Sequence, residues 1–528
     1  MLSTYVFNQA TFIQLLKGEL TDNRDYSHFY QTHNDNGQTK KLITINSGQF
    51  QSMSIKEDFK CEYDVTITNS RILDFKLFNG HFNSLSFNNV QFESLEIAGG
   101  SYSKLYISGT IENSSYIKGG VFESLYFGDT SFKDLSFSGG IFAEIYFSGI
   151  KCKSIFFRGG SYDMLRVAGG AEANDCLLSG LYFCGGNFNQ AAIFGLSNIE
   201  KCYVTSGSIG NLTIQSEGLK NILIDGSLQN YSGTGESISN TRLEVNNLSI
   251  QQLSKISISI KDIDFKTINF SNSYFNKDSV FRLSNTGTES LTFDNFVNYG
   301  LATFNNLRIN TGNSFNIKYS DLGKTTFINC QFYESEFVFE SSRLTDVFIS
   351  GTKMPERIIG VSNEEQRLGY AQIKKIYDSR GDSVGYTRFF SNEMNAYHKT
   401  LSFKDNIWDY INLSLNKYST DHGQSWKRGF LSLLSFGILS YWIYIYLIGF
   451  CLTLNINAEH INLFTKVSSY FFDYLNPVHK TDSIVESLSL NNGISTISFA
   501  RVWEGLSRII IAYLLYQFVQ AFRKFGRK

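Results

Sequence analysis

The feature that most constrains this chain is a twenty-residue repeat that is itself divided into units of five. Its glycine column is Gly80, Gly100, Gly120, Gly140 and Gly160, and an aromatic column two positions later is Phe82, Tyr102, Phe122, Phe142 and Tyr162. Two further columns are Leu85, Leu105, Leu125, Ile145 and Leu165, then Phe87, Ile107, Phe127, Phe147 and Val167. Within each repeat, apolar residues such as Phe92 and Ile97 return at the same five-residue spacing.

A five-residue spacing fits neither an α-helix, whose apolar period is near 3.6, nor a simple strand, whose period is 2. It is typical of a coil that turns a corner every five residues, with neighbouring coils about 4.8 Å apart and equivalent side chains stacked inside. We therefore predict a parallel β-helix over residues 46–355, with residues 1–45 as a lead-in or cap. Roughly fifteen such coils would give a rod on the order of 70 Å long.

The five-residue unit resembles the pentapeptide-repeat family, in which the central residue is Phe or Leu and the residue two before it is small and also points inward. Later repeats carry this pattern in Thr325 with Phe327, Cys330 with Phe332, and Ser335 with Phe337. The resemblance implies a right-handed, four-sided solenoid. In earlier repeats the small position holds Leu or Ile, as at Leu85 and Ile145. A broader parallel β-helix with three unequal faces is therefore the alternative geometry.

Tyrosines occupy an outward column of the predicted solenoid. Tyr106, Tyr126 and Tyr146 each precede a central residue on successive coils, and Tyr116 lies on a neighbouring face, so all four rings are expected to be exposed. They could stack and protect the ladder edge, which aromatic pairs do at about 0.5–1.5 kcal/mol each. Alternatively, they form a docking face for a partner protein, because tyrosine-rich apolar patches mark interaction surfaces.

Composition argues against several classes of function. The charges nearly cancel, with 47 Lys and Arg against 48 Asp and Glu, so no nucleic-acid partner is expected. The seven histidines lack metal-ligand spacing, and no nucleophile elbow or phosphate-binding loop is present in the sequence. We therefore expect no enzyme activity, no metal and no cofactor. The seven scattered cysteines predict buried thiols in a reducing compartment, and the first twenty residues do not resemble a secretory signal.

The pattern becomes helical after Pro355, which predicts a helical connector over residues 362–425. Ser362 can cap a helix that runs to a stop at Gly381, and a second helix would start at Asp382 or Ser383. These two helices predict a helical hairpin. A shorter helix is expected from Trp408 to Tyr418.

Residues 429–525 predict a membrane domain with two transmembrane helices. The stretch from Gly429 to Ala458 is 30 residues long and uncharged, while about 20 apolar residues cross the hydrocarbon. The second apolar stretch, 509–522, has only 14 residues, so a full span must include Arg501, Glu504 and Arg508. Arginine near a helix end can extend to the interface. Alternatively, the three charges share one helix face and line a water-filled interface between copies of the protein.

Basic residues flank both predicted spans. Lys427 and Arg428 precede the first, and the second is followed by Arg523, Lys524, Arg527 and Lys528. The positive-inside rule then predicts a multi-pass membrane protein with both termini in the cytoplasm.

The C-terminal segments QIKKIYDSRGD, HGQ and AFRKFGRK, together with the hydrophobic span, resemble the membrane-bound bacterial pentapeptide-repeat proteins. Related members carry a two-span module like that of potassium channels, but this chain has no TVGYG or equivalent filter between its spans, which argues against selective conduction.

The favoured hypothesis is a membrane-anchored cytoplasmic scaffold or sensor that docks an unidentified protein partner at the bilayer. The alternative is a homo-oligomeric, pore-forming or channel-like effector, for instance in phage defence.

Overall fold

The computed structural model describes residues 5–35, 38–168, 177–194, 199–215, 221–225, 244–251, 257–404, 406–448, 458–478, 484 and 494–523. The chain forms two units, Met1–Ile359 and Gly360–Lys528. The first unit is a parallel β-solenoid of about 12 turns, and the second contains helices, two of them long and apolar. The predicted solenoid followed by C-terminal helices is confirmed.

Most strands of the solenoid pair in parallel with the strand one turn further along the chain. The strands of the N-terminal half are β1 (Val6–Phe7), β2 (Tyr30–Asp35), β3 (Gln38–Asn46), β4 (Gln49–Phe50), β5 (Met53–Ile55), β6 (Lys60–Cys61), β7 (Asp64–Thr68), β8 (Arg71–Leu77), β9 (His81–Ile97), β10 (Ser101–Ile111), β11 (Ser115–Ile117), β12 (Val121–Phe137), β13 (Ile141–Ser148), β14 (Lys151–Phe157) and β15 (Ser161–Ala168). The later strands are β16 (Leu177–Phe194), β17 (Ile199–Gln215), β18 (Asn221–Asp225), β19 (Glu244–Gln251), β20 (Ser257–Lys261), β21 (Phe265–Ser271), β22 (Tyr274–Phe275), β23 (Val280–Asp294), β24 (Val297–Asn298), β25 (Leu301–Lys318), β26 (Thr325–Ile328), β27 (Glu336–Glu340) and β28 (Phe348–Ser350).

The predicted aromatic column is a continuous ladder inside the solenoid. Its residues are in register and buried: Phe82, Tyr102, Phe122, Phe142 and Tyr162. Successive ring centroids are 5.7, 4.8, 4.8 and 4.9 Å apart, and their planes lie within 11° of parallel. This stacking buries large apolar surfaces without leaving gaps between turns, which is the main stabilising contribution in such a core.

Side chains point inward in pairs, and the pairs follow the five-residue unit. In β9 the buried pairs are Leu85 with Phe87, and Leu95 with Ile97. The Leu or Ile at the position where the pentapeptide-repeat family has a small residue is therefore inside the coil; Ile145 is also fully buried. The inward direction that the period predicts is confirmed for both members of each pair.

The glycine column forms corners that other residues disfavour. The φ values are 118° at Gly80, 105° at Gly120 and 103° at Gly140, in the region that L-residues rarely adopt. A Cβ atom at Gly120 would lie 3.0 Å from Cε2 of Phe122, so the ladder ring also requires the missing side chain. Glycine here meets both a backbone and a packing requirement.

A second corner column uses asparagine, which the sequence reasoning did not identify. Asn69 and Asn89 have φ values of 46° and 55°. The Asn89 Nδ2 donates to Asn69 Oδ1 at 2.9 Å, and the Asn69 Nδ2 donates to Asn46 Oδ1 at 3.1 Å. Asparagine tolerates the left-handed region and its amide can both donate and accept, so it can form such a ladder at a corner.

The number of turns is about 12, fewer than the roughly fifteen predicted. The reason is that some turns contain more than twenty residues. Tyr162 pairs with Phe188, and Ile209 pairs with Val245.

The N-terminal residues cover the first end of the solenoid. Strand β1 pairs with β4, β2 and β3 form an antiparallel hairpin, and β3 pairs in parallel with β7. Helix α1 (Gln9–Lys17) places Phe12 edge-on to Phe50 at 5.4 Å, while Phe7 stacks on Phe50 at 4.8 Å. Apolar side chains that would otherwise meet water at the end of the solenoid are thereby covered.

The second unit contains α2 (Asn363–Ser379), α3 (Ser383–Thr400), α4 (Ile407–Thr420), α5 (Trp426–Leu447), α6 (Ala458–Ser469), α7 (Phe471–Leu475) and α8 (Ile494–Arg523). The predicted caps of the helical hairpin are present. The Ser362 Oγ accepts from the Glu365 amide at 3.2 Å, and the Asp382 Oδ1 accepts from the Gly385 amide at 2.9 Å. Helix α8 begins well before position 501, so it is longer than the sequence suggested.

Helices α5 and α8 pack against each other. Trp426 contacts Phe522 with a centroid distance of 5.8 Å, and Phe430 contacts Phe518 at 6.1 Å. A Cβ atom at Gly429 would lie 3.3 Å from the Phe518 Cα, so this glycine lets the two backbones approach closely.

Candidate functional site

Helices α5 and α8 are long and apolar enough to cross a membrane. Only 28% of the apolar window of each helix is buried. The exposed apolar residues on α5 are Phe430, Leu431, Ile438, Leu439 and Tyr446, and those on α8 are Phe499, Val502, Leu506, Ile509, Ile510, Leu515, Tyr516, Val519 and Phe522. A core helix of a soluble globule would have most of these side chains buried, whereas lipid tails can contact them directly.

Several polar side chains lie among these apolar helices. We call them the polar cluster: Ser440, Tyr474, Trp503, Glu504 and Arg508. The Arg508 Nη2 and Glu504 Oε1 form an ion pair at 2.5 Å. The Ser440 Oγ and Tyr474 hydroxyl are 2.8 Å apart, and the Trp503 Nε1 donates to the Ser440 carbonyl at 3.1 Å. The cluster therefore connects α5, α7 and α8 through buried polar contacts.

The three charged residues that the sequence placed on one face of the second span differ in burial. Glu504 is 2% exposed and pairs with Arg508, which is half-buried, whereas Arg501 is exposed. All three lie within α8, which begins at Ile494, and none is at its first turn. A charge pair inside a candidate span is costly unless its members satisfy each other, and such pairs are often functional.

The other members of the polar cluster were not identified from the sequence. Ser440 is one small polar residue in a long apolar stretch, and Tyr474 lies in a segment that the sequence left without structure. Tyr474 reaches the cluster because α7 packs against α5, where its ring lies 5.3 Å from that of Tyr441. Such a contact depends on tertiary packing, which no local spacing records.

The predicted tyrosine face of the solenoid differs from expectation. Tyr106, Tyr126 and Tyr146 are half-buried, so the expectation that they are exposed is wrong for these three. Their rings lie over neighbouring turns: the Tyr126 and Tyr146 centroids are 6.1 Å apart, and a Cβ atom at Gly128 would lie 2.7 Å from the Tyr106 hydroxyl. Tyr116 is 44% exposed.

Neighbouring groups also engage these tyrosines. The Tyr126 hydroxyl donates to Glu144 Oε2 at 3.2 Å, and the Lys118 Nζ lies 5.4 Å from the centroid of the Tyr116 ring. These contacts match the interpretation in which the rings protect the ladder edge. They leave Tyr116 as the ring of this set that is most accessible to a partner.

Exposed apolar residues of the solenoid lie on another column. Val121 and Ile141 are 48% and 58% exposed, pair in register on adjacent turns, and directly follow the glycine corners. Leu301 is also exposed, far along the chain. The sequence reasoning missed this column, although an apolar residue at an outward position immediately after a repeated glycine is a usable signal.

The described cysteines Cys61, Cys152, Cys184, Cys202 and Cys330 are buried, in agreement with the predicted buried thiols. Burial raises the pKa of Cys61 to about 11 and that of Cys202 to about 12. These thiols therefore stay protonated and unreactive at neutral pH. Cys176 and Cys451 lie outside the described residues.

Comparisons with protein families, curated proteins and solved structures gave no match to this chain.

Proposed function

We propose that this protein is a membrane-anchored scaffold or sensor of bacteria, with a cytoplasmic β-solenoid that docks a partner protein at the inner membrane. The observation that carries the proposal is the exposure of the apolar residues on α5 and α8. Only 28% of the apolar window of each helix is buried. A continuous apolar surface of this kind is stable in contact with lipid and unstable in water. The solenoid supplies a stiff surface and needs no cofactor for this role.

The proposed topology has two spans with both termini in the cytoplasm. Helix α5 would cross outward and α8 would return, with Lys427, Arg428 and Arg523 at the cytoplasmic ends. Basic residues at these ends follow the positive-inside rule. The twenty-residue period and the inward pairs further support a pentapeptide-repeat origin for the solenoid, which remains part of the proposal.

Vesicle flotation of the full-length protein tests the membrane anchor. The protein is expected to float with vesicles and to resist extraction at alkaline pH, as integral proteins do. Protease treatment of inverted and right-side-out membranes then reports topology. Recovery in the soluble fraction would contradict the anchor, and protection of the solenoid in inverted membranes would contradict the orientation.

Proximity labelling tests docking, with exposed apolar residues as the variable. Substituting Val121 and Ile141 by Ser removes apolar area from one outward column without touching the ladder. If this column and Tyr116 form the docking face, one labelled neighbour should be lost in V121S/I141S and in Y116S. The matched control is L301S, which removes an equally exposed side chain on a distant turn. Loss in all variants, or in none, would argue against this docking face.

A second candidate function is a homo-oligomeric, pore-forming effector. The polar cluster favours it, since a Glu504 carboxylate and an Arg508 guanidinium inside a candidate span are unusual in a simple anchor. This proposal predicts that the purified protein releases ions or dye from liposomes. The charge-reversal variant R508E should change the rate of release, while the control R343E, at a side chain of the solenoid that is 69% exposed, should not. Intact liposomes at all protein concentrations would contradict a pore.

A further inference from the structure

The helical unit contains a cavity of about 550 Å³ that none of the proposed roles uses. Three parts of the unit line it: α3, the C-terminal half of α4 with the turn that follows, and the last three turns of α8. Its volume lies in the range of ordinary small-ligand sites, which is roughly 300–1,000 Å³.

The lining has the chemistry of a site for an anion with a polar organic group. Arg523 is the one fully charged side chain among the described residues that line the cavity, and no carboxylate is among them. The amides of Asn412, Asn416, Gln517 and Gln520 can donate and accept hydrogen bonds. A wall that offers one guanidinium together with neutral hydrogen-bonding groups favours a phosphate over a cation or an apolar ligand.

The polar groups of the wall are already organised. The Tyr513 hydroxyl contacts Asn416 Oδ1 at 3.1 Å and Asn412 Oδ1 at 3.3 Å, which links α8 to α4. His422, also part of the lining, is 5% exposed, and its buried Nε2 has no hydrogen-bond partner among the described residues. A wall with positioned amides and an unsatisfied imidazole nitrogen is suited to a polar ligand.

One side of the cavity continues into the apolar face of α8. Tyr516 and Val519 line the cavity and are 62% and 47% exposed, as part of the surface that we assign to lipid. Arg523 lies one turn further along the same helix, at the proposed cytoplasmic interface. A molecule with a phosphate next to an acyl chain would meet both surfaces at once.

From this arrangement we infer that the cavity binds a phosphate-bearing ligand, with the phosphate on Arg523 and the polar group on the amides, and that this ligand is the headgroup of a phospholipid. The inference rests on the membrane part of the proposed function. Because α3, α4 and α8 all contact the ligand, its binding would hold the helical hairpin to the second span. A soluble phosphate ester has the same recognition chemistry, and the experiment separates the two sources.

Native mass spectrometry of the full-length protein in neutral detergent tests the inference. The probes are phosphatidylglycerol, phosphatidylcholine and free glycerol phosphate. A one-to-one adduct is expected with phosphatidylglycerol, whose glycerol hydroxyls can hydrogen-bond to the amides. A weaker adduct is expected with phosphatidylcholine, whose trimethylammonium group cannot, and none with glycerol phosphate. R523Q should weaken the adduct by about tenfold or more, as loss of a charge-assisted hydrogen bond does. R428Q, which removes an equal charge outside the cavity, should retain it.

A second variant keeps the result interpretable if R523Q folds poorly. T387W fills the cavity from α3 without changing charge, and it should also abolish the adduct. An adduct with glycerol phosphate as strong as with lipid would overturn the lipid as the source. Equal adducts in wild type, R523Q and T387W would overturn the site. Vesicle flotation distinguishes this failure from that of the membrane proposal, since a protein that floats without a specific adduct keeps its anchor but loses the site.

Discussion

At the scale of single residues, the inside of the solenoid tolerates few changes because its rings stack without interruption. Phe122 lies between Tyr102 and Phe142, at 4.8 Å from each ring. A substitution there removes contacts on two faces and leaves a cavity that rigid neighbouring turns cannot fill.

We expect F122A to lower the free energy of unfolding of the solenoid by about 3–5 kcal/mol, the usual cost of truncating a buried aromatic side chain. The control Y116A removes a ring that is 44% exposed and should cost less than about 1 kcal/mol. Denaturant unfolding followed by circular dichroism measures both. Similar midpoints for the two variants would show that the ladder is not the main stabilising feature.

His422 should make the helical unit sensitive to acid. Burial lowers the pKa of His422 to about 4, against an ordinary value near 6.5. Between these two values the unfolded chain binds a proton that the folded chain does not, so stability falls as the pH falls from about 6.5 to about 4.

The resulting loss of folding free energy is at most about 3 kcal/mol between pH 7 and pH 4. Thermal unfolding in detergent at pH 7.5 and pH 5 should therefore differ in wild type and differ much less in H422L. A pH response that is unchanged in H422L would assign the effect to other groups, of which His398 is the nearest candidate because burial also lowers its pKa.

Residue environments were predictable from the sequence wherever the repeat fixed them. The columns of Gly80 and Phe82 could be assigned because the same spacing recurs on many turns, so that only one set of positions can point inward on all of them. The burial of Tyr106 could not, because it depends on the absence of a side chain at Gly128 on the next turn. The environment of an outward side chain is set by neighbours on adjacent turns, which the five-residue period does not describe.

At the scale of elements, α5 and α8 determine whether the second unit belongs in a bilayer. Leu439 on α5 and Ile509 on α8 are 62% and 69% exposed, and neither is among the residues that the ring contacts between the two helices use. If these faces contact lipid, a charge placed on them must enter hydrocarbon.

L439R and I509R should each weaken membrane integration, because arginine at the centre of a span costs about 2.5–3.5 kcal/mol on the insertion scale. The measurement is the fraction of protein that stays in alkaline-washed membranes. V121R places the same charge on an exposed position of the solenoid and should leave that fraction unchanged. Integration that is insensitive to both span variants would mean that these faces meet protein instead of lipid.

The ion pair of the polar cluster should behave as a unit. E504Q deprives the Arg508 guanidinium of its carboxylate in a buried environment and should destabilise the helical unit by about 3 kcal/mol. The double variant E504Q/R508M removes both charges and should recover much of that loss. Thermal unfolding in detergent gives the comparison. A double variant no more stable than E504Q would show that the two side chains act independently.

Helix positions were largely predictable, whereas helix lengths and partners were not. Ser362 and Asp382 marked two starts correctly, because capping depends on local hydrogen bonds. The start of α8 at Ile494 was missed, since Arg501 and Glu504 lowered the local apolarity although Glu504 forms an ion pair with Arg508. Charges that neutralise each other within a helix look like a helix boundary in the sequence.

At the scale of the whole molecule, the chain combines two units with different requirements. Each turn of the solenoid contacts its neighbours, so its stability accumulates from local interfaces and does not require the second unit. The second unit exposes apolar helices that water does not tolerate. The division at Ile359 should therefore separate a water-soluble part from a membrane part.

We expect residues 1–359, expressed alone, to remain soluble and to unfold cooperatively with a β-type circular dichroism spectrum. Residues 360–528, expressed alone, should stay in alkaline-washed membranes. The physical reason is that the covered N-terminal end and the aromatic ladder belong entirely to the first part, whereas α5 and α8 belong entirely to the second.

The two fragments serve as controls for each other, because both come from one chain and differ in which apolar surface they expose. If 1–359 floated with vesicles, the solenoid itself would bind lipid, and the outward column of Val121 and Ile141 would be the first surface to test. If residues 360–528 were recovered as a soluble, folded monomer, the exposed apolar faces of α5 and α8 would not require contact with lipid. In that case the membrane anchor, and with it the phospholipid headgroup in the cavity, would both be wrong.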